Sequence, residues 1–259
     1  MASYGQFSEQ SHFQTWKVGI DLGSTFSAAS YCLTSDTTDD CTAGEIKSVQ
    51  NYKAASRNRS DTLRNLEVPS KLRYELGGNI RWGWDADGLV EKGLDRDIPG
   101  FMVDLFKPGL DDRNETREER RHIEELLVRL QSEFSLTKTV DDVVADFLKQ
   151  LLRHVKKQLE PCGYRDDDSV QLACTVPAMW SIKAKRRTVA AAKKAAELCR
   201  FRLDDNITFL SEPEAATAYV QRKNNHLRFK VRIMYSQNYT TSLQHYREAI
   251  HSLFAMLVV

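Results

Sequence analysis

WKVGIDLGSTFSAASYCL, residues 16–33, reads as a β-strand, a tight turn and a second strand. Val18, Ile20 and Leu22 supply the branched and apolar residues that suit a strand, and Asp21-Leu22-Gly23 closes it. Gly23 has no Cβ, so backbone N–H groups at the turn can approach an anion and form a nest for it. Ser24 and Thr25 add two hydroxyl donors. Asp21 is a hard oxygen ligand of the kind that a magnesium ion on a polyphosphate takes, directly or through water. Asp, Gly, Ser and Thr are equally the residues of ordinary hairpin turns, so this stretch alone leaves both readings open.

Outward from the hairpin, residues 1–15 are polar, lack the apolar core of a signal peptide, and read as a disordered arm. On the other side, a polar loop (residues 34–42) leads to a third strand expected within 45–52. Residues 53–65 read as a solvated loop. LEVPSKLRYELGGNIRWGW, residues 66–84, reads as two strands around a Gly77-Gly78 turn, and residues 85–93 as a helix. Thr116 and Glu119 have the spacing of a capping box, followed by Ile123, Leu126, Leu127, Leu130 and Phe134 at helical period. Val140, Val143, Val144, Phe147, Leu148, Leu151, Leu152, Val155 and Leu159 form one apolar stripe that stops at Pro161-Cys162-Gly163. Ser169 to Val176 is a buried strand closed by Pro177, and Ser181 caps an Ala- and Lys-rich helix reaching Cys199. Residues 207–210 form a short strand, and Ser211 with Glu214 makes a second capping box, Pro213 lying in its first turn. This order predicts a mixed sheet covered by helices. The hairpin and the strands at 45–52, 68–74, 79–84 and 169–176 are expected in one sheet, with residues 116–160 and 181–199 packed on it as helices.

Composition excludes several classes. The 259 residues are 41% hydrophobic and 28% charged, as in ordinary globular proteins. A net charge of +1 gives no support for a nucleic-acid partner. Five cysteines, an odd number with no C-x-x-C pair, point to reduced thiols and away from a zinc site or a disulfide framework. The longest apolar run, Leu253 to Val259, is far short of a membrane span. A cytoplasmic protein without a membrane partner is expected.

IDLGST in the hairpin, VPSKLRY at 68–74, CTVPAMWS at 174–181 and LSEPEAATAYV at 210–220 occur in the order and approximate spacing seen in the seventy-kilodalton heat-shock protein family. The chain resembles the divergent branch of that family, in which an aromatic such as Trp180 follows V-P-A, over residues 16–222. The resemblance implies the α/β fold of an actin-like ATPase (ribonuclease H-like): a first lobe with a mixed sheet and flanking helices, and an incomplete second lobe. It implies ATP and Mg²⁺ as ligands. Asp21, Gly23, Ser24 and Thr25 match the family's first phosphate loop, with Asp21 on the metal side. Glu212 matches the acidic residue that reaches the metal through water, although a carboxylate in a first helical turn is also favoured by the helix dipole alone. Lys107, in VDLFKPGL, is the candidate for the lysine that positions the attacking water, against the plainer reading of a surface lysine. Pro177 matches the family's switch proline. The arginine expected eight residues on is replaced by Lys185, followed by Arg186 and Arg187.

The chain departs from the family toward its C-terminus. Its last glycine is Gly163, so a second glycine-rich phosphate loop cannot follow the S-E-P helix. From Gln221 onward six basic residues face one acidic residue, a net +5. Residues 223–259 form an atypical basic segment with no counterpart in the family. The expectation is therefore a truncated chaperone-like ATPase domain, poorly active as written. Unfolded polypeptide or co-chaperones are expected as partners only in a full-length form. Two other readings are a remnant that binds partners without hydrolysis, and a sugar or metabolite kinase of the same superfamily.

Overall fold

The computed structural model describes residues 14–34, 46–52, 66–91, 99–204 and 207–215. The expected N-terminal arm, save Gln14 and Thr15, and the whole basic C-terminal segment lie outside these residues.

The hairpin forms as the sequence predicts. β1 (Thr15–Asp21) and β2 (Phe26–Leu33) pair antiparallel, Trp16 opposite Leu33 and Asp21 opposite Ala28. β1 also pairs in parallel with the distant strand β8 (Ser169–Val176), from Thr15 opposite Ser169 to Ile20 opposite Cys174. β8 in turn pairs in parallel with β10 (Thr208–Ser211) and with the short β9 (Arg202–Leu203). On the other flank β2 pairs with β3 (Lys47–Ser48) and β4 (Val68–Pro69). Among the described residues these seven strands form one mixed sheet. Its strands β1 and β8 are buried along most of their length, polar residues such as Lys17 and Thr175 included, as central strands covered on both faces are.

The expectation of a single sheet needs correction. β5 (Lys71–Glu75) and β6 (Ile80–Trp82) do not join the seven strands. They pair with a strand that the sequence reading passed over, β7 (Gly100–Asp104), in a separate three-stranded sheet. The handover falls at Pro69-Ser70. The N–H of Ser70 still donates to the carbonyl of Thr25 beside β2, and from Lys71 onward the chain pairs with Asp104 and the rest of β7 instead. β7 alternates, with Phe101 and Val103 buried and Met102 and Asp104 half-buried, and this buried pair fixes its register against β5.

α1 (Gly83–Glu91) follows β6, and three longer helices follow β7: α2 (Arg117–Phe134), α3 (Val140–Leu159) and α4 (Ile182–Leu198). α3 carries the predicted stripe into the core, and all of its members except Val140 are buried. It touches both sheets, through β2 and β5, and so joins them. α4 meets α3 with a face of small residues, Ala184, Thr188, Ala191, Ala192, Ala195 and Ala196, which allows close approach. Ser181 caps α4 by accepting from the N–H of Ala184 at 3.1 Å, as read from the sequence. The expected capping box of α2 does not form. The hydroxyl of Thr116 donates instead to the carbonyls of Asp111 and Arg113, while a box made by Thr139 and Asp142 opens α3.

Buried Asp168 fixes the start of β1 by accepting from the N–H of Gln14, the indole of Trp16 and the N–H of Arg165. The expectation of reduced thiols holds for Cys162, Cys174 and Cys199, but Cys32 is disulfide-bonded. Among the described residues no helix is long and apolar enough to cross a membrane.

Candidate functional site

Three parallel strands, β1, β8 and β10, end on the same side of the large sheet. Their carboxyl ends deliver Asp21, then Thr175 and Pro177, then Glu212. A crevice outside the carboxyl ends of parallel strands is where open α/β sheets place their ligands. Here it is a cleft of about 530 Å³, lined by Asp21, Gly23 and Ser24 on one side, Lys107, Thr116 and Glu119 on another, and Pro177, Trp180 and Glu212.

Glycine is required at position 23. A Cβ there would lie 1.9 Å from the carbonyl oxygen of Phe26, so no side chain fits the turn. The turn is pinned from both ends of its peptide. The N–H of Gly23 donates to Ser27 Oγ at 3.2 Å, its carbonyl accepts from Ser70 Oγ at 2.8 Å, and the two hydroxyls lie 2.8 Å apart. The expected nest therefore lacks one of its donors, because the Gly23 N–H is already used. Thr25 sits exposed at the tip and outside the lining, its carbonyl held by Ser70, whereas Ser24 faces the cleft.

Lys107 is not a surface lysine. It is 5% exposed, its Nζ lies 2.7 Å from Glu212 Oε1 and 5.6 Å from the centroid of the Trp180 ring. It sits on a 3-10 turn, Lys107–Leu110, entered through Leu105 at a φ of +47°, a left-handed conformation that is costly for a leucine. Glu212 opens the last described turn, whose start is fastened by the Ser211–Glu214 box read from the sequence: Ser211 N–H to Glu214 at 3.0 Å, and Glu214 N–H back to Ser211 Oγ at 3.3 Å.

Asp21 is the electrostatic centre of the cleft. Burial raises its carboxyl above the ordinary carboxylate range. The hydroxyl of Thr175, donating to Asp21 Oδ1, and the charge of Lys107 pull it back, while Glu212 pushes it up. Glu67 is raised as well, first by burial and then by the negative charge of Asp21. The Cys174 thiol beneath is pushed up to about 12 by burial and by Asp21, which leaves it inert.

No known protein family matches this chain, and no curated protein does. The site therefore stands on its own geometry. Asp21, Gly23, Ser24, Lys107 and Glu212 are brought to one cleft from positions up to 191 residues apart, and Thr25 is left outside it. Thr175, Trp180, Glu67 and Glu119 were not read as site residues. Trp180 and Glu119 lie inside motifs that the sequence did reveal, but their facing depends on where α2 and α4 begin, and that is set by tertiary contacts.

Among the described residues no group of three or more His, Cys, Asp or Glu could enclose a metal ion. Magnesium does not ask for such a cage. It takes one or two carboxylates and completes its shell with waters and phosphate oxygens, and a desolvated carboxylate such as Asp21 beside Glu212 fits that demand. The cleft thus offers a buried ammonium for an anion, carboxylates for a hard cation and a closely approachable turn.

Proposed function

We propose that the cleft binds magnesium-ATP by its phosphates, and that residues 16–222 are the first lobe and the start of the second lobe of an actin-like ATPase similar to the seventy-kilodalton heat-shock proteins. One observation carries the reading: the carboxyl ends of β1, β8 and β10, with the Lys107 turn opposite, gather Asp21, Gly23, Ser24, Lys107 and Glu212 in a single cleft. Asp21, Gly23 and Ser24 come from the first of the four motifs, Glu212 from the last, and Lys107 from the separate segment VDLFKPGL, and chance gives no reason for residues 21, 107 and 212 to meet.

In this reading Ser24 and the backbone of the Gly23 turn approach the terminal phosphates. Lys107 donates to the phosphoryl oxygens from the opposite wall, and in the meantime Glu212 holds it. An incoming anion competes with Glu212 for that ammonium. Asp21 and Glu212 hold the cation, which when bound offsets phosphate charge and orients the nucleotide. Positioning and charge stabilisation are most of the protein's contribution to a hydrolysis of this kind.

Binding is expected to be weak. Residues 164–259 contain no glycine, so within the 259 residues no second glycine-rich loop closes on the phosphates. A micromolar complex corresponds to about −8 kcal/mol, and half of that leaves a dissociation constant of about a millimolar. The same missing loop favours a second reading, a module that binds partners without hydrolysis. Calorimetry with magnesium-ATP and a phosphate-release assay on the 259-residue chain test both. The proposal expects weak binding that Asp21→Asn abolishes. Binding that ignores Asp21, or none at millimolar nucleotide, favours the second reading.

A further inference from the structure

Arg187 follows Lys185 and Arg186 in a short basic run on α4. In the structure it lies behind the cleft without lining it, and its guanidinium bonds three residues. Its Nε and Nη2 grip the Asp141 carboxylate at 2.9 and 2.6 Å, and its Nη1 donates to the carbonyls of Gly109 and Leu110 at 3.1 and 2.7 Å. Those carbonyls end the turn that begins with Lys107.

That turn has little of its own to hold it. It is four residues long, it has no side-chain cap, and Pro108 contributes no N–H. At its two ends the bonds are long, Gly109 N–H to Phe106 and Asp111 N–H to Pro108, each 3.1 Å. Short 3-10 turns have poor bond geometry and leave terminal carbonyls without intrahelical donors. Arg187 occupies two of them. On the far side Gly109 is pressed against α2 and α3: a Cβ there would meet Ile123 at 2.8 Å and Val140 at 2.9 Å. The turn is thus wedged against two helices and tied to a third through one guanidinium. Only a planar fork with five donors reaches a carboxylate and two carbonyls together, and a lysine at this position would have to choose.

We infer that Arg187 is a positioning residue: it fixes the Lys107–Leu110 turn so that the Lys107 ammonium stays between Trp180 and Glu212, at the place where an anion enters the cleft. The importance of that position to function rests on the reading of the cleft proposed above. The fixing itself does not, and it can be observed separately.

The test uses the full chain labelled with ¹³C-lysine. The ε-methylene resonance of Lys107, assigned by its loss in Lys107→Arg, should lie upfield in the native protein because of the Trp180 ring. In Arg187→Met it should move toward the position shared by exposed lysines, and magnesium-ATP affinity should fall roughly tenfold, as when a charge-assisted hydrogen bond is lost. Arg187→Lys should move the resonance in the same direction. Thermal unfolding is followed alongside. A folded Arg187→Met protein with an unmoved Lys107 resonance overturns the inference and leaves Arg187 as a brace between α3 and α4. If Arg187→Met does not fold, Arg187→Lys decides by the same criterion. If native protein binds no nucleotide and the resonance still moves, the positioning role stands and the nucleotide reading falls.

Discussion

The floor of the cleft and the helical layer behind it are built on opposite principles. Behind the sheets, α3 and α4 bury an apolar stripe and a small-residue face, and their surface charges are paired: Arg187 with Asp141, Lys194 with Asp142, Lys138 with Asp146. At the cleft, a carboxylate is buried at the end of β1 with its charge resisted by its surroundings, a leucine is held at positive φ, and a lysine is sequestered from water. One region stores stability, and the other spends it on groups that line the cleft. Local rules of helix and strand formation are obeyed in the first and broken in the second, which is where function is to be looked for.

Three substitutions should sharpen that contrast. The largest effect is expected in the helical layer. Phe147 packs its ring against Trp82 and Phe106, at 5.9 and 5.3 Å between centroids, and so ties α3 to β6 and to the residue before Lys107. Phe147→Ala should cost about 3–5 kcal/mol in chemical denaturation. Next come the two helix starts. Thr139→Ala should cost about 1 kcal/mol, because the hydroxyl accepts the Asp142 N–H in a formed capping box. Thr116→Val should cost no more than about 0.5 kcal/mol, since its hydroxyl caps nothing and both carbonyls it serves keep Arg120 as a donor. Equal losses at the two positions would mean that Thr116 caps α2 after all.

At the cleft the effect should be small and have the opposite sign. The native carboxyl of Asp21 is raised above its unfolded value of 3.8, so its contribution to stability is fully present below that value and is lost as pH rises through the raised native one. Asp21→Asn keeps an oxygen to accept from Thr175 and removes the desolvated charge. It should stabilise the fold at neutral pH by about 1 kcal/mol or less, with no gain below pH 3.8. Thermal scans across pH check it. A loss of stability at neutral pH would show that Lys107 and Thr175 outweigh burial at this carboxylate.

Much of the helical layer was legible because its signals are local. The stripe from Val143 to Leu159, the stop at Pro161-Cys162-Gly163 and the Ser181 and Ser211 caps each need only a few neighbouring residues to decide them. Asp142 was missed as a cap partner because capping boxes are sought with Glu or Gln at that position, and a shorter acid serves as well. Thr116 misled for the converse reason: its spacing to Glu119 is right, but the carbonyls of Asp111 and Arg113 were nearer. Sheet membership is not local. Nothing in VPSKLRY says that the chain leaves β2 at Ser70, and the partner that draws it away, GFMVD at 100–104, carries only two inward apolar residues. The site was legible as a set of motifs. Its inner wiring was not: Lys107 against Trp180, Thr175 beneath Asp21, and Arg187 behind the turn all depend on distances between elements.

The parallel pairing of β1 with β8 also sets a timetable. Thr175 reaches Asp21 from 154 residues further along the chain. At translation rates of about 5–20 residues per second, the strand that will become the middle of the sheet waits roughly 10–30 s after its own synthesis before its partner exists. During that interval the β1–β2 hairpin presents an unpaired apolar edge to whatever else is in the compartment. Yield of folded protein should therefore depend on how that edge is shielded on the ribosome, and a nascent chain stalled before residue 169 should be prone to aggregate however stable the finished fold is.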